Sequence, residues 1–451
     1  MKGSLTRALV LVLVLSSTAF GQYSFDFVGG GARAEGMGKA YLAVSDDVSG
    51  VSWNPAGIYG IEKPVLGFSW SSLAPRGAAN AAFINTWEHL EHTSSFSNVG
   101  LFSFAAPLRV KGHPFVGSIS YTRNFDVFAS IASSGSFERT IDTTIAGIHL
   151  LNTEYLDIVN NYSLDGGVNS VNFGFGTRLY DKLSFGVTAN VYTGSALQVD
   201  NMYAVVENSL YGIMQNGTAI QDSTIVDTFK FSGTNFTIGF KYNGDKTNAA
   251  LTIRTPFKLK VEYDRLVYNI IYMNGLVLDF LTDTTYYMDN LVKYDMPWII
   301  GGGFAYKVRD NFLVAMDAEY RAFKGGKINV RQEITINPGG DNIETYLESD
   351  PRWNNVFTVR MGTEYLKETK YGTIPLRAGL GVVPTPEPNY DADGNTSKAV
   401  GYYGSLGTGI HWEQIHFDVA YSLYTIDVQY YDQYDYTNRN HHLNVSFTGV
   451  F

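Results

Sequence analysis

Cysteine is absent from the 451 residues, so the chain has no disulfide framework and no thiolate metal site. No basic tract stands out and the formal net charge is −10, which argues against nucleic acid as a partner. Beyond the first two dozen residues no apolar run reaches the ~20 residues that a membrane-spanning helix needs. Catalytic signatures are missing too, with neither a GxSxG elbow nor an HExxH helix. The stretch from Asp391 to Asn395 has the look of a calcium loop. Its register, however, puts Thr396 where glycine is required and Tyr402 where a bidentate glutamate is required. The glycine-rich run 404–409 lacks the lysine of a phosphate loop, and the adjacent His441 and His442 diverge on a strand and cannot share a metal. The sequence therefore predicts no enzyme, no cofactor and no metal centre.

What the chain does hold is glycine, aromatics and alternation. Gly numbers 46, Tyr 31 and Phe 28, while charged residues make up only 17%. Residues 1–21 read as a secretory signal, with Lys2 and Arg7 at the start, a short apolar run, and small residues ahead of Gln22. At the other end, Leu443, Val445, Phe447 and Phe451 share one parity while His442, Asn444, Ser446 and Thr448 share the other. A strand sends successive side chains to opposite faces, so this segment has one apolar and one polar face. About fourteen such segments follow one another from Val65 onward. Their connections alternate between short ones, such as Asp181 with Lys182, and long ones, such as 129–167 and 194–234. Short turns at one rim and long loops at the other are the rhythm of outer-membrane barrels, with both termini at the short-turn, periplasmic rim. The predicted fold is an all-β, 14-stranded antiparallel transmembrane β-barrel over 65–451, with residues 22–64 as an N-terminal plug (hatch).

Charges on the lipid face cost about 2–4 kcal/mol near the midplane, so charged residues on barrel strands should point inward. On that rule Arg178, Arg254, Arg360 and Arg377 face the lumen, as do Lys258, Lys260 and Glu262 beyond Pro256. The four arginines could meet a ligand carboxylate or the lumen acids Asp317, Glu319 and Glu364. Pro256 has no amide hydrogen for the ladder and predicts a bulge or kink.

A barrel of fourteen strands is too wide for wall side chains to fill, so it needs a plug or it conducts water. Residues 22–64 are glycine-rich at 29–31, 36 and 38. Ser45-Asp46-Asp47 precedes a short helix toward Trp53, and Asn54-Pro55-Ala56-Gly57 stops it. The run Gly31-Ala32-Arg33, Gly36-Met37-Gly38, Asp46-Asp47 and Trp53-Asn54-Pro55-Ala56-Gly57 resembles the hatch of the FadL family of outer-membrane transporters. That resemblance implies a 14-stranded barrel in the bacterial outer membrane, gated at Trp53 to Gly57. It further implies uptake of a hydrophobic small molecule such as a long-chain fatty acid, without energy coupling and with sideways exit through the wall into outer-membrane lipid. The motif is similar also to the PorV-like branch of the superfamily, which implies docking to secretion-system proteins instead. The apolar stretches 145–158, 203–214 and 270–280, read as loops, suit either a capture groove or a docking surface.

Overall fold

The computed structural model describes residues 29–451 apart from 84–85, 94, 146–147, 208–218, 274–275, 278–282, 336–341, 392 and 431–433. The signal segment 1–21 therefore lies outside the described residues.

Fourteen antiparallel strands form one closed sheet. They are β1 (Val65–Phe83), β2 (Phe96–Val110, continued above by Thr86–Thr93), β3 (His113–Ile145), β4 (Ile148–Tyr180), β5 (Leu183–Glu207) and β6 (Ala219–Asn243). Next come β7 (Thr247–Arg254 and Phe257–Met273), β8 (Asp283–Met296 and Ile299–Arg309), β9 (Phe312–Arg321 and Ile328–Thr335) and β10 (Asn342–Ser349 and Val356–Thr369). The last four are β11 (Gly372–Tyr390), β12 (Thr396–His411), β13 (Ile415–Tyr430) and β14 (Tyr434–Val450). Closure is made by β1 against β14, from Val65 opposite Val450 to Ala81 opposite Tyr434.

The turns at the rim near the termini are short, as between Tyr180 and Leu183 and between Arg309 and Phe312. The opposite, upper side departs from the sequence expectation. Segments read there as long loops are mostly strand: β3 and β4 are each 33 residues long and pair, with one register shift after Arg123, up to Ile145 opposite Ile148. At about 3.3 Å per residue each spans roughly 100 Å. A membrane crossing takes about 9–11 residues, so most of each strand stands clear of lipid. Of the apolar stretches, 148–158, 203–207 and 270–273 lie in strands, and 208–214 falls outside the described residues.

The wall changes character at one height. Below it, large apolar side chains such as Phe102, Phe173, Phe304, Leu380, Leu406 and Phe447 are exposed on the outside. The inside there carries buried Ser103, Thr188, Asp317, Thr358 and Ser446. This is the pattern of a lipid-facing band. Above it the pattern inverts on several strands: Leu259 and Val261 are buried inside while Lys258, Lys260 and Glu262 are exposed outside. The inward placement expected for these three charges is thus corrected.

The inversion has a local cause. A one-residue irregularity flips every later side chain to the other face. Register shifts occur between Arg123 and Phe125 in β3 and between Pro384 and Pro388 in β11. Strands β7 and β8 break between Arg254 and Phe257 and between Met296 and Ile299. The break expected at Pro256 is one member of this belt. Above it the outside meets water and the barrel buries an apolar cluster within, including Tyr162, Tyr192, Phe229, Leu259, Phe323 and Trp353.

Candidate functional site

The segment 29–64 packs against the inner faces of the lower barrel. It has little regular structure: α1 (Ala32–Gly36), α2 (Gly50–Trp53) and a 3₁₀ helix (Pro55–Gly60). The Asp47 carboxylate accepts from the Ser49 amide at 2.9 Å, which fixes the turn into α2. Asn54 then does three jobs from a fully buried position. Its Oδ1 accepts from the Ala56 amide at 3.1 Å, capping the 3₁₀ helix that Pro55 starts. Its Nδ2 donates to the Leu42 carbonyl at 3.0 Å within the hatch and to the Phe240 carbonyl of β6 at 3.2 Å. One side chain therefore ties two hatch segments to the wall.

Glycines make room for this contact. A Cβ at Gly57 would collide with the Ser45 carbonyl, at Gly186 with Pro55, and at Gly239 with the Asn54 side chain. On the far side of the barrel, Gly362 and Gly379 seat Met37 and Gly38 in the same way.

Charge supplies a second grip. Arg33 of α1 makes a two-pronged bond to Glu364 of β10, Nε to Oε2 at 3.0 Å and Nη2 to Oε1 at 2.9 Å, and its Nη1 reaches Asp46 at 2.5 Å. Arg377 shares the same Glu364, Nε to Oε2 at 2.6 Å, and donates to Asp418 at 2.6 Å. Glu35 is held by Tyr403 at 2.6 Å and by His442 at 3.0 Å, with Lys39 at 3.8 Å. Burial alone would raise the Glu35 carboxyl, but Lys39 and His442 beside it hold it well below the usual carboxylate range. On β9, the Asp317 carboxylate accepts the Tyr41 and Leu42 amides at 2.6 and 2.8 Å. Lys241 of β6 donates to the Val44 carbonyl at 2.8 Å.

The sequence-predicted residues fall into three groups. Trp53, Asn54, Pro55, Ala56 and Gly57 are all within the packed hatch. Arg254 and Arg360 line a cavity of about 20 Å³ between hatch and wall, with Leu42, Trp53, Ile299 and Glu319. That volume holds about one water and no organic ligand. Arg360 is also directly opposite Asp317 across β9 and β10. Arg377 is consumed by Glu364 and Asp418. Arg178 joins none of them; it stands opposite buried Ser184 on the lumen parity of β4, but exposed at the lower rim, two residues before Tyr180. His441 and His442 do diverge, the first toward Tyr421 and the second toward Glu35. Asp391 closes a turn on Asn395. Among the described residues no group of three or more His, Asp or Glu side chains could hold a metal ion.

Sequence reasoning missed Arg33, Glu35, Lys241 and the seating glycines. The signal was present: Arg33, Glu35 and Lys39 are the sole charges in the glycine- and alanine-rich run 29–40. Gly301 and Gly303, which seat Leu42, recur at the spacing of one strand face.

A closed, lipid-banded barrel with an internal hatch defines a class, the plugged transmembrane β-barrel. Within that class its fold is that of the FadL-type transporters. A Pseudomonas aeruginosa FadL homologue superposes with TM-score 0.58 at 13% identity, covering 95% of this chain and 100% of that one. The Pseudomonas putida toluene transporter TodX gives 0.56 at 14%, covering 95% and 100%. The Ralstonia pickettii toluene transporter TbuX gives 0.53 at 12%, also covering 95% and 100%. The BamG family model matches residues 147–370, just under half of the chain. No curated protein matches the chain by sequence.

Proposed function

We propose that this barrel is a passive channel for hydrophobic small molecules, long-chain fatty acids among them, in a closed state. The observation that carries the reading is the inverted interior: an aromatic and aliphatic cluster faces inward directly above a hatch held by polar contacts. Such a cluster can part around an apolar guest, whereas a water-filled porin would keep a polar lumen. The solved toluene transporters of the same fold support the same general use.

The cavity between hatch and wall at Trp53, Arg254 and Arg360 is water-sized. Trp53 to Gly57 form the gate in this reading, and Arg254 and Arg360 are the basic groups placed to meet a ligand carboxylate. Sideways exit has a candidate seam. Pairing of β10 with β11 ends at Val359 opposite Val382, and above it Pro384, Pro386 and Pro388 offer no amide hydrogens. The Asn354 amide donating to the Pro386 carbonyl at 2.7 Å bridges that seam. Buried Trp353, Val356 and Val383 lie along it.

The test is ligand analysis of the purified chain combined with flux into proteoliposomes. Retained hydrophobic ligand with facilitated flux supports the reading; neither ligand nor flux sinks it. A second reading, a docking component of PorV-like type in protein secretion, draws on the firmly bonded hatch and on strands that rise far above the lipid band. It predicts co-purification with secretion proteins and unimpaired fatty-acid use in a deletion strain.

A further inference from the structure

The chain is acidic, yet one patch of its outer wall is basic. Directly above the lipid band, one cross-strand row runs Ser232 of β6, Lys260 of β7, Lys293 of β8 and Asn329 of β9. Residues directly opposite on neighbouring strands point to the same face, so the two lysines stand side by side. Their neighbours Leu259, Val261, Val292 and Tyr294 belong to the interior cluster, so the lysines point outward. Like charges directly opposite destabilise a sheet. Among the described residues neither ammonium forms an ion pair; Lys293 lies over the Tyr346 ring at 4.4 Å.

The surrounding rows sharpen the contrast. One row below, Lys258 is paired with Asp295 at 2.6 Å, and Lys327 is 3.6 Å from Glu348, the acid that ends the central row opposite Asn329. One row above, Lys230 is opposite Glu262. Acids thus attend the flanking lysines and leave the central pair to each other. The height is that of a headgroup layer: Phe236, Trp298 and Ile300, exposed on the outside, mark the top of the apolar band on β6 and β8 just below.

We propose that Lys260 and Lys293 together bind the phosphate of an anionic membrane lipid, with Ser232 and Asn329 as flanking hydrogen-bond donors. Two ammonium groups on one face clamp a phosphate between them, and the apolar wall beneath takes the acyl chains. The site is on the outer wall and does not depend on what passes through the lumen.

The experiment is native mass spectrometry of the full-length protein from nanodiscs of phosphatidylcholine containing a minor fraction of phosphatidylglycerol. The wild type is expected to retain phosphatidylglycerol, and Lys260→Gln with Lys293→Gln to retain at least tenfold less. Lys260→Arg with Lys293→Arg should retain it, as should Lys182→Gln at the far rim. Millimolar inorganic phosphate should leave retention unchanged. Equal retention by the double glutamine variant overturns the site, and full displacement by inorganic phosphate overturns its assignment to a lipid headgroup.

Discussion

Asn54 makes all its side-chain hydrogen bonds to backbone groups, one within its own turn, one to Leu42 across the hatch and one to Phe240 of the wall. Asn54→Ala strands the buried Ala56 amide, a loss of about 1–3 kcal/mol. If that loss falls on hatch closure, the open fraction rises by a factor of roughly 5–160. Single-channel recording in planar bilayers should therefore show frequent opening where the wild type stays shut. Glu35 gives a pH-dependent counterpart. Its carboxyl is depressed in the folded hatch, so its contribution is full above the ordinary carboxylate range and fades as pH falls below about 4.3. Opening should rise in that acid window, and Glu35→Gln should flatten the rise while raising the basal level. The role of Asn54 was half legible in the sequence: a polar residue before Pro55 announces a cap, but its bond to Phe240 depends on a strand 186 residues away. Arg178 shows the limit of parity alone: it shares a face with buried Ser184, but it is so near the turn that its side chain is exposed at the rim.

At the scale of elements, alternation within the lipid band was readable because lipid outside and water inside impose opposite polarities on the two faces. Above the band that constraint reverses, and the same rule misplaces Lys258, Lys260 and Glu262. The switch is written in a few residues, Pro256 and Pro297 among them, whose effect on parity is invisible without knowing where the membrane ends. Long apolar stretches read as loops for a related reason: strands without lipid contact carry no outward apolar row to announce them. Two outcomes belong here. Removing residues 29–61 should convert the closed barrel into a large, steady conductance, since fourteen wall strands cannot fill the lumen by themselves. Replacing Pro384, Pro386 and Pro388 with valine restores the missing amide donors and should let the β10–β11 seam zip. Under the transport reading, flux of hydrophobic cargo then falls severalfold while hatch conductance stays at the wild-type level.

For the whole molecule, the account rests on a division of labour along the barrel axis. A polar lower lumen grips the hatch, an apolar upper interior would receive cargo under the transport reading, and a belt of bulges joins them. Passage must then require the hatch to move. The cysteine-free chain allows a clean lock, because Val48 Cβ is 3.8 Å from the position a Cβ would take at Gly67 of β1, which is the spacing a disulfide needs. The deciding measurement is fatty-acid flux into proteoliposomes carrying Val48→Cys with Gly67→Cys, compared before and after reduction. Flux is expected near the protein-free rate when oxidised and several times higher when reduced. Equal flux in both states, above the protein-free rate, would contradict a hatch-gated route, and no flux in either state or in the wild type would contradict transport itself.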